Sequence, residues 1–204
     1  MAEALERIVR EFAKALAVVD SEKPQGASRT RTYQPGVGPL TEAEAVSRAY
    51  RYLMEKVDPK LYSRASSRTY PAGRQKCDLV IQDEWAIEFK LIRPFGDNGK
   101  PAEHWSENIL YPYRGNISSI GDCIKLATSG FPERKAIVVF GYEHVPPQIK
   151  LETGIQAFEL IARSVVRIHL SARCEVTFGP LIHPIHQQGS VFGWEVLGLT
   201  GNLS

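Results

Sequence analysis

Residues 77–92, CDLVIQDEWAIEFKLI, are two apolar segments joined by a polar Gln-Asp-Glu turn, with Asp78 set into the first and Glu88 and Lys90 into the second. In a strand, side chains alternate faces, so Trp85, Ile87, Phe89 and Leu91 share one face. Glu88 and Lys90 share the other, about 7 Å apart along the chain. Apolar residues on both sides predict a largely buried strand. A carboxylate and an ammonium are costly there unless they pair, bind a metal or face a wet cleft. Asp78 lies in the preceding apolar segment. With a three-residue turn over Gln82, Asp83 and Glu84, Ile81 pairs with Trp85 and Asp78 stands opposite Glu88, the Cβ atoms about 5 Å apart. A two-residue turn instead sends the two acids to opposite faces. In the first register both carboxylates can hold one divalent cation, Mg²⁺ or Mn²⁺, and hard oxygen ligands beside a lysine suit a cation bound to phosphate and water. Lys90 would orient the attacking water or neutralise charge developing on the phosphate. The competing reading of the same residues is a buried ion pair that only holds a hairpin together.

Several elements must position these groups. Leu5, Ile8, Val9, Phe12, Leu16 and Val19 recur at helical spacing and predict an amphipathic helix over residues 3–20. Residues 23–40, with three prolines, three glycines and three basic residues, predict a loop. Thr41 and Glu44 form a capping box for a second helix whose stripe is Val46, Ala49, Tyr50, Leu53, Met54 and Val57 and which stops before Pro59. Glu42, four residues before Val46, continues that stripe toward the sheet and is a third candidate ligand; an acid in a first turn is equally what the helix dipole favours. Strands are expected at residues 76–81, 85–92 and 135–142, the last nearly all apolar and so covered on both faces. Short helices are expected over 102–110 and from a Ser119–Asp122 capping box through Ala127, where Gly130 ends the helix. Another helix follows a Thr153 cap, and late strands lie near 174–178 and 191–199.

Charge is segregated. Residues 60–76 carry Lys60, Arg64, Arg68, Arg74 and Lys76 with no acid, +5 against a chain total of +2, so the remainder nets −3. With Tyr62 and Tyr70 interleaved, this irregular strand or hairpin arm can track a phosphate backbone; a solvated basic loop is the alternative. Arg29, Arg31, Arg93, Lys100 and Arg114 invite the same pair of readings. His104, Glu107, Tyr111 and Tyr113 belong to a polar-aromatic segment that either shapes a cleft or covers the sheet, and Asp122 and Lys125 fall on the helix after it. His183 and His186 have the residue type of zinc ligands, with Cys174 nearby. Pro184 argues against a helix and no fourth ligand is evident, so two loop histidines are expected.

The 204 residues are 43% apolar and 24% charged, which excludes disorder, collagen-like repeats and coiled coil as the main architecture. Three scattered cysteines without a CxxC pair make no disulfide framework. No apolar run approaches a membrane span, and the N-terminus lacks a signal-peptide layout. A cytoplasmic protein is expected. The element order predicts one α/β domain over 1–204, a mixed central sheet flanked by helices: N-terminal helix and basic loop at 1–40, core at 41–145, C-terminal helix and strands at 146–204.

Asp78, nine intervening residues and Glu88-Phe89-Lys90 in an apolar strand resemble the PD-(D/E)xK nuclease superfamily. The element order resembles it too, from the Thr41 helix through the 135–142 strand. That is roughly the middle hundred residues; Cys77 stands where the family name has proline. The resemblance implies a restriction-endonuclease-like core, Asp78 and Glu88 as metal ligands, Glu42 as a further carboxylate from the preceding helix, and Lys90 as the catalytic lysine. The expected function is a Mg²⁺-dependent (or Mn²⁺-dependent) nuclease hydrolysing DNA phosphodiester bonds, of restriction, repair or mobile-element type, with Arg64, Arg68, Arg74, Lys76 and Arg114 on the nucleic acid. Cutting both strands of a duplex calls for two active sites, which a homodimer would supply. The alternatives are a catalytically inactive module of this fold that binds nucleic acid or a protein, and an unrelated α/β domain in which Glu88 and Lys90 are structural.

Overall fold

Helices α1 (Ala2–Ser21), α2 (Glu42–Tyr52) and the single turn α3 (Pro59–Tyr62) lead into strands β1 (Ala65–Thr69), β2 (Lys76–Ile81) and β3 (Trp85–Ile92) in the computed structural model, which describes residues 2–26, 34–71, 73–111 and 118–199. The short α4 (Glu107–Leu110) and α5 (Ser119–Ala127) then cross to β4 (Arg134–Glu143). The chain continues through α6 (Leu151–Leu160), β5 (Ile168–Leu170), β6 (Cys174–Phe178) and β7 (Gln188–Leu199). Strands β1, β2 and β3 form an antiparallel meander, β3 and β4 are parallel, and β7 runs antiparallel to β4. A parallel pair needs a crossover of a dozen or more residues, and α4 and α5 lie in it. The far edge of β7 carries β6 and then β5, completing a mixed seven-stranded sheet. The chain is therefore α/β, with helices on both faces.

Each face has its own core. On one, Leu5, Val9, Phe12 and Leu16 of α1 join Trp85, Ile87, Phe89 and Leu91 of β3; the Phe12 ring sits 4.8 Å from Phe89 and 5.5 Å from Phe140. On the other, Ile120 and Ile124 of α5 and Ile155 and Phe158 of α6 cover Ala86, Ile137, Val139 and Trp194. The apolar alternation of β3 thus faces α1 and α2, which leaves Glu88 and Lys90 on the α5 side.

Local signals and observed boundaries differ in instructive places. The α5 cap is Ser118, not Ser119: the Ser118 hydroxyl accepts the Gly121 N–H at 3.1 Å. Asp122 is thereby released from a capping role. Helix α6 begins at Leu151, ahead of Thr153, because the Leu151 N–H donates to the Glu143 carboxylate at 2.9 Å, a tertiary cap from the end of β4. The Thr41–Glu44 capping box is present, with Thr41 N–H donating to Glu44 at 2.9 Å. Because this cap sets where Glu42 enters the sheet, Thr41→Ala is expected to cost about 1 kcal/mol in a urea titration. Among the described residues, no helix is long and apolar enough to cross a membrane.

Candidate active site

The β2–β3 connection is the three-residue turn, with pairs Ile81↔Trp85, Val80↔Ala86 and Leu79↔Ile87. Asp78 stands next in that register, opposite Glu88. The approach is not a regular ladder, however. On the other side of β2, Ser66 pairs with Val80 but Arg68 with Cys77, so Asp78 and Leu79 together oppose Ser67 alone. This two-against-one arrangement is a β-bulge, a device that bends a strand and re-aims a side chain. It explains why Cys77 packs in the α5-side core although Leu79, two residues on, packs with α1 and α2.

Where the β2–β3 pairs end, the β3 edge has backbone donors to satisfy, and acids satisfy them. The Phe89 N–H donates to Asp78 Oδ2 at 2.8 Å and the Leu91 N–H to Glu42 Oε2 at 2.6 Å. Buried backbone donors must find an acceptor, so the strand fixes both carboxylates. The Asp78 carboxylate lies near enough to raise the Glu88 carboxyl, and Tyr70, just past the end of β1, donates its hydroxyl to Glu88 Oε1. Lys90 Nζ lies 3.2 Å from Asp122 Oδ2 and 3.9 Å from Glu42 Oε1. Lys125, one turn along α5, lies 2.5 Å from Asp122 Oδ1 and 4.0 Å from Glu88 Oε1.

Burial dominates the electrostatics. Removal from water, with Asp78 and Asp122 close by, pushes the Glu88 carboxyl up to about 9; Tyr70 opposes the rise. Burial also raises Asp122 and Glu42, against the pull of the lysines. Burial works to lower Lys90, yet Asp122 and Glu42 hold its ammonium above its ordinary value. With every group ionised, four carboxylates (Glu42, Asp78, Glu88, Asp122) meet two ammoniums (Lys90, Lys125), leaving −2 at one spot. Two clefts open on it and share Glu42: one of about 290 Å³ between α2 and β1–β2 reaches Asp78, and one of about 440 Å³, with Trp105 and Arg93 in its wall, reaches Lys90.

Asp78, Glu88, Lys90 and Glu42 are therefore brought together. The basic residues are dispersed. Arg64 sits at the far end of β2, against the Gln82 carbonyl (3.2 Å) and Glu84 (3.4 Å). Arg68 is held by the buried Glu133 at 2.7 Å and stacks on Phe131. Arg74 and Lys76, on the hairpin leading to Asp78, are exposed and make no ion pair among the described residues. Arg114, Arg29 and Arg31 lie outside the described residues. Tyr70, Asp122 and Lys125 are the members that sequence patterning did not assign. The i,i+3 spacing of Asp122 and Lys125 on one helical face was their available signal; a long-range contact such as Tyr70–Glu88 leaves none. Comparison with family models, with curated proteins and with solved structures returns no match for this chain.

Proposed function

We propose that the chain is a Mg²⁺- or Mn²⁺-dependent nuclease that hydrolyses DNA phosphodiester bonds with a restriction-endonuclease-like core. The observation that carries this reading is the convergence of Asp78, Glu88 and Glu42 with Lys90 where β2 bulges away from β3. The order of helix α2, three antiparallel strands, helix α5 and parallel strand β4 supports it. The donor set also fits a hard divalent cation: its ligands are oxygens, its charge is −2 once every group is ionised, and among the described residues Glu88 has no cation closer than Lys125 at 4.0 Å. Asp78 and Glu88 would hold the ion, with Glu42 beside them. Bound there, it would polarise the scissile phosphate and acidify a water.

The protein's own groups do the rest. Asp122 pins the Lys90 ammonium in place, so a cation-bearing donor is fixed toward the cleft before substrate arrives. Lys125 supplies a second positive charge on the Glu88 side. Tyr70 favours the ionised form of Glu88. Tyr70→Phe is therefore expected to weaken Mg²⁺ affinity about 10-fold or more, as losing an outer partner of a ligand does, while leaving the protein folded; calorimetric titration of Mg²⁺ measures it.

Incubation of supercoiled plasmid, linear duplex and single-stranded DNA and RNA with Mg²⁺ or Mn²⁺ tests the activity. Cleavage by the wild type that disappears in chelator supports a nuclease. Binding to DNA without cleavage of any substrate would favour a catalytically inactive module of the same architecture, and neither binding nor cleavage would remove the phosphodiester reading.

A further inference from the structure

Away from the Glu88 cluster, a second group of metal-ligating side chains is assembled by two loops. Asp97 comes from the loop after β3, and His183 and His186 from the loop before β7; one ligand atom from each lies within 4.8 Å of the others. His183 and His186 are 1% and 0% exposed, and their rings stack 4.7 Å apart. Asp97 Oδ1, His183 Nε2 and His186 Nδ1 are buried, and none has a hydrogen-bond partner among the described residues, although the Arg93 guanidinium stands 3.6 Å from Asp97 Oδ1 as an ion pair. The two buried ring nitrogens left without a partner in one place are expensive and call for an occupant. The loop of residues 34–40 closes the site: a Cβ on Gly38 would meet the His186 ring at 2.4 Å, and Arg93 reaches from β3's end to the Gly38 carbonyl at 2.7 Å.

We propose that Asp97, His183 and His186 bind a zinc-like divalent cation that clips the loop after β3 to the loop before β7. His186 is oriented as a metal ligand is: its Nε2–H donates to the Phe95 carbonyl at 2.9 Å, which leaves the Nδ1 lone pair facing Asp97 Oδ1 at 3.6 Å. Two imidazoles and one carboxylate select Zn²⁺ over Mg²⁺, in contrast to the all-oxygen Glu88 cluster. On His183 the cation takes Nε2, and the ring proton moves to Nδ1. The long contacts from the Ile185 and His186 N–H groups to Nδ1, 3.2 and 3.3 Å, open on binding. The competing occupant is a single water, accepting from His183 Nε2–H and donating to Asp97 and His186; it leaves those contacts intact.

The test is Zn²⁺ binding to the whole chain, by elemental content after dialysis and by competition with a chromophoric chelator. Wild type and Glu88→Gln are expected to retain one equivalent, which separates this site from the proposed nuclease centre. His186→Ala and Asp97→Asn are expected to lose affinity by more than the 10- to 100-fold that an outer partner is worth. Asp97→Asn, at the half-buried ligand, keeps the test valid if the His186 variant does not fold. At a hundredfold excess over Kd, Zn²⁺ should raise the wild-type Tm by roughly 5–10 °C, and the Ile185 and His186 amide resonances should shift. No stoichiometric zinc in the wild type, or equal affinity in wild type and Asp97→Asn, would overturn the site and leave water as the occupant.

Discussion

Glu88→Gln is expected to abolish metal-dependent cleavage and at the same time to stabilise the metal-free protein at alkaline pH. The activity loss follows from removing a carboxylate that would hold the cation: the several kcal/mol a catalytic metal contributes correspond to roughly 10³-fold or more in rate. The stability gain follows from burial. In the unfolded chain this carboxyl ionises near 4.5, whereas in the fold it keeps its proton to about 9. Between those values the native state binds more protons than the unfolded state, so stability falls as pH rises, by up to about 1.4 kcal/mol per unit for one group. Burial displaces Asp122 and Glu42 in the same direction. In chelator, wild type should therefore lose stability from pH 5 toward pH 9, and Glu88→Gln should lose less. Mg²⁺, which needs the ionised form, should restore wild type most at the alkaline end and leave the variant unmoved. Denaturant titrations at pH 5 and pH 8.5, with and without Mg²⁺, measure this. A wild type whose stability is indifferent to pH and Mg²⁺ would contradict the account.

Lys90→Ala is expected to lower cleavage by about 10²- to 10³-fold, the scale of losing one preorganised electrostatic donor. It should not weaken Mg²⁺ binding. The ammonium stands 3.9 Å from Glu42 and 3.2 Å from Asp122, so it competes with a cation for the same negative field. Its removal leaves the acids with one positive charge fewer, and affinity should hold or tighten. Cleavage rates under saturating Mg²⁺, set beside a calorimetric Kd, separate the two effects. A variant that loses Mg²⁺ affinity and activity together would make Lys90 a structural counter-ion rather than a group aimed at substrate.

Strands β2 and β3 were legible to the residue because runs such as VI and WAIEFKLI leave a chain few choices: they bury both faces, and the QDE turn sets the register. Asp78 opposite Glu88 was one of the two registers the residues allowed, and the three-residue turn is the one the fold adopts. What the residues did not announce was the bulge at Asp78–Leu79, since a bulge is set by the neighbouring strand β1 and by packing of Cys77, not by local propensity. The same cause explains the other departures. Leu151 is capped by Glu143 from across a loop, Tyr70 reaches Glu88 from the β1–β2 connection, and β5 is a three-residue strand that exists only because β7 offers it an edge. His183 and His186 read as two loop histidines because their third partner, Asp97, lies far upstream and only the fold brings it near. Of the basic residues, charge segregation located the arm but not its neutralisation: Arg64 and Arg68 are engaged by Glu84 and Glu133, which sequence distance concealed.

Anomalous diffraction from a crystal grown with Mn²⁺ shows whether Asp78 and Glu88 hold a catalytic divalent cation. An anomalous peak bonded to both carboxylates is expected, on the side of the sheet that carries Lys90. A peak found only at the Asp97, His183 and His186 cluster, or no ion touching Asp78 and Glu88 at saturating Mn²⁺, would contradict it.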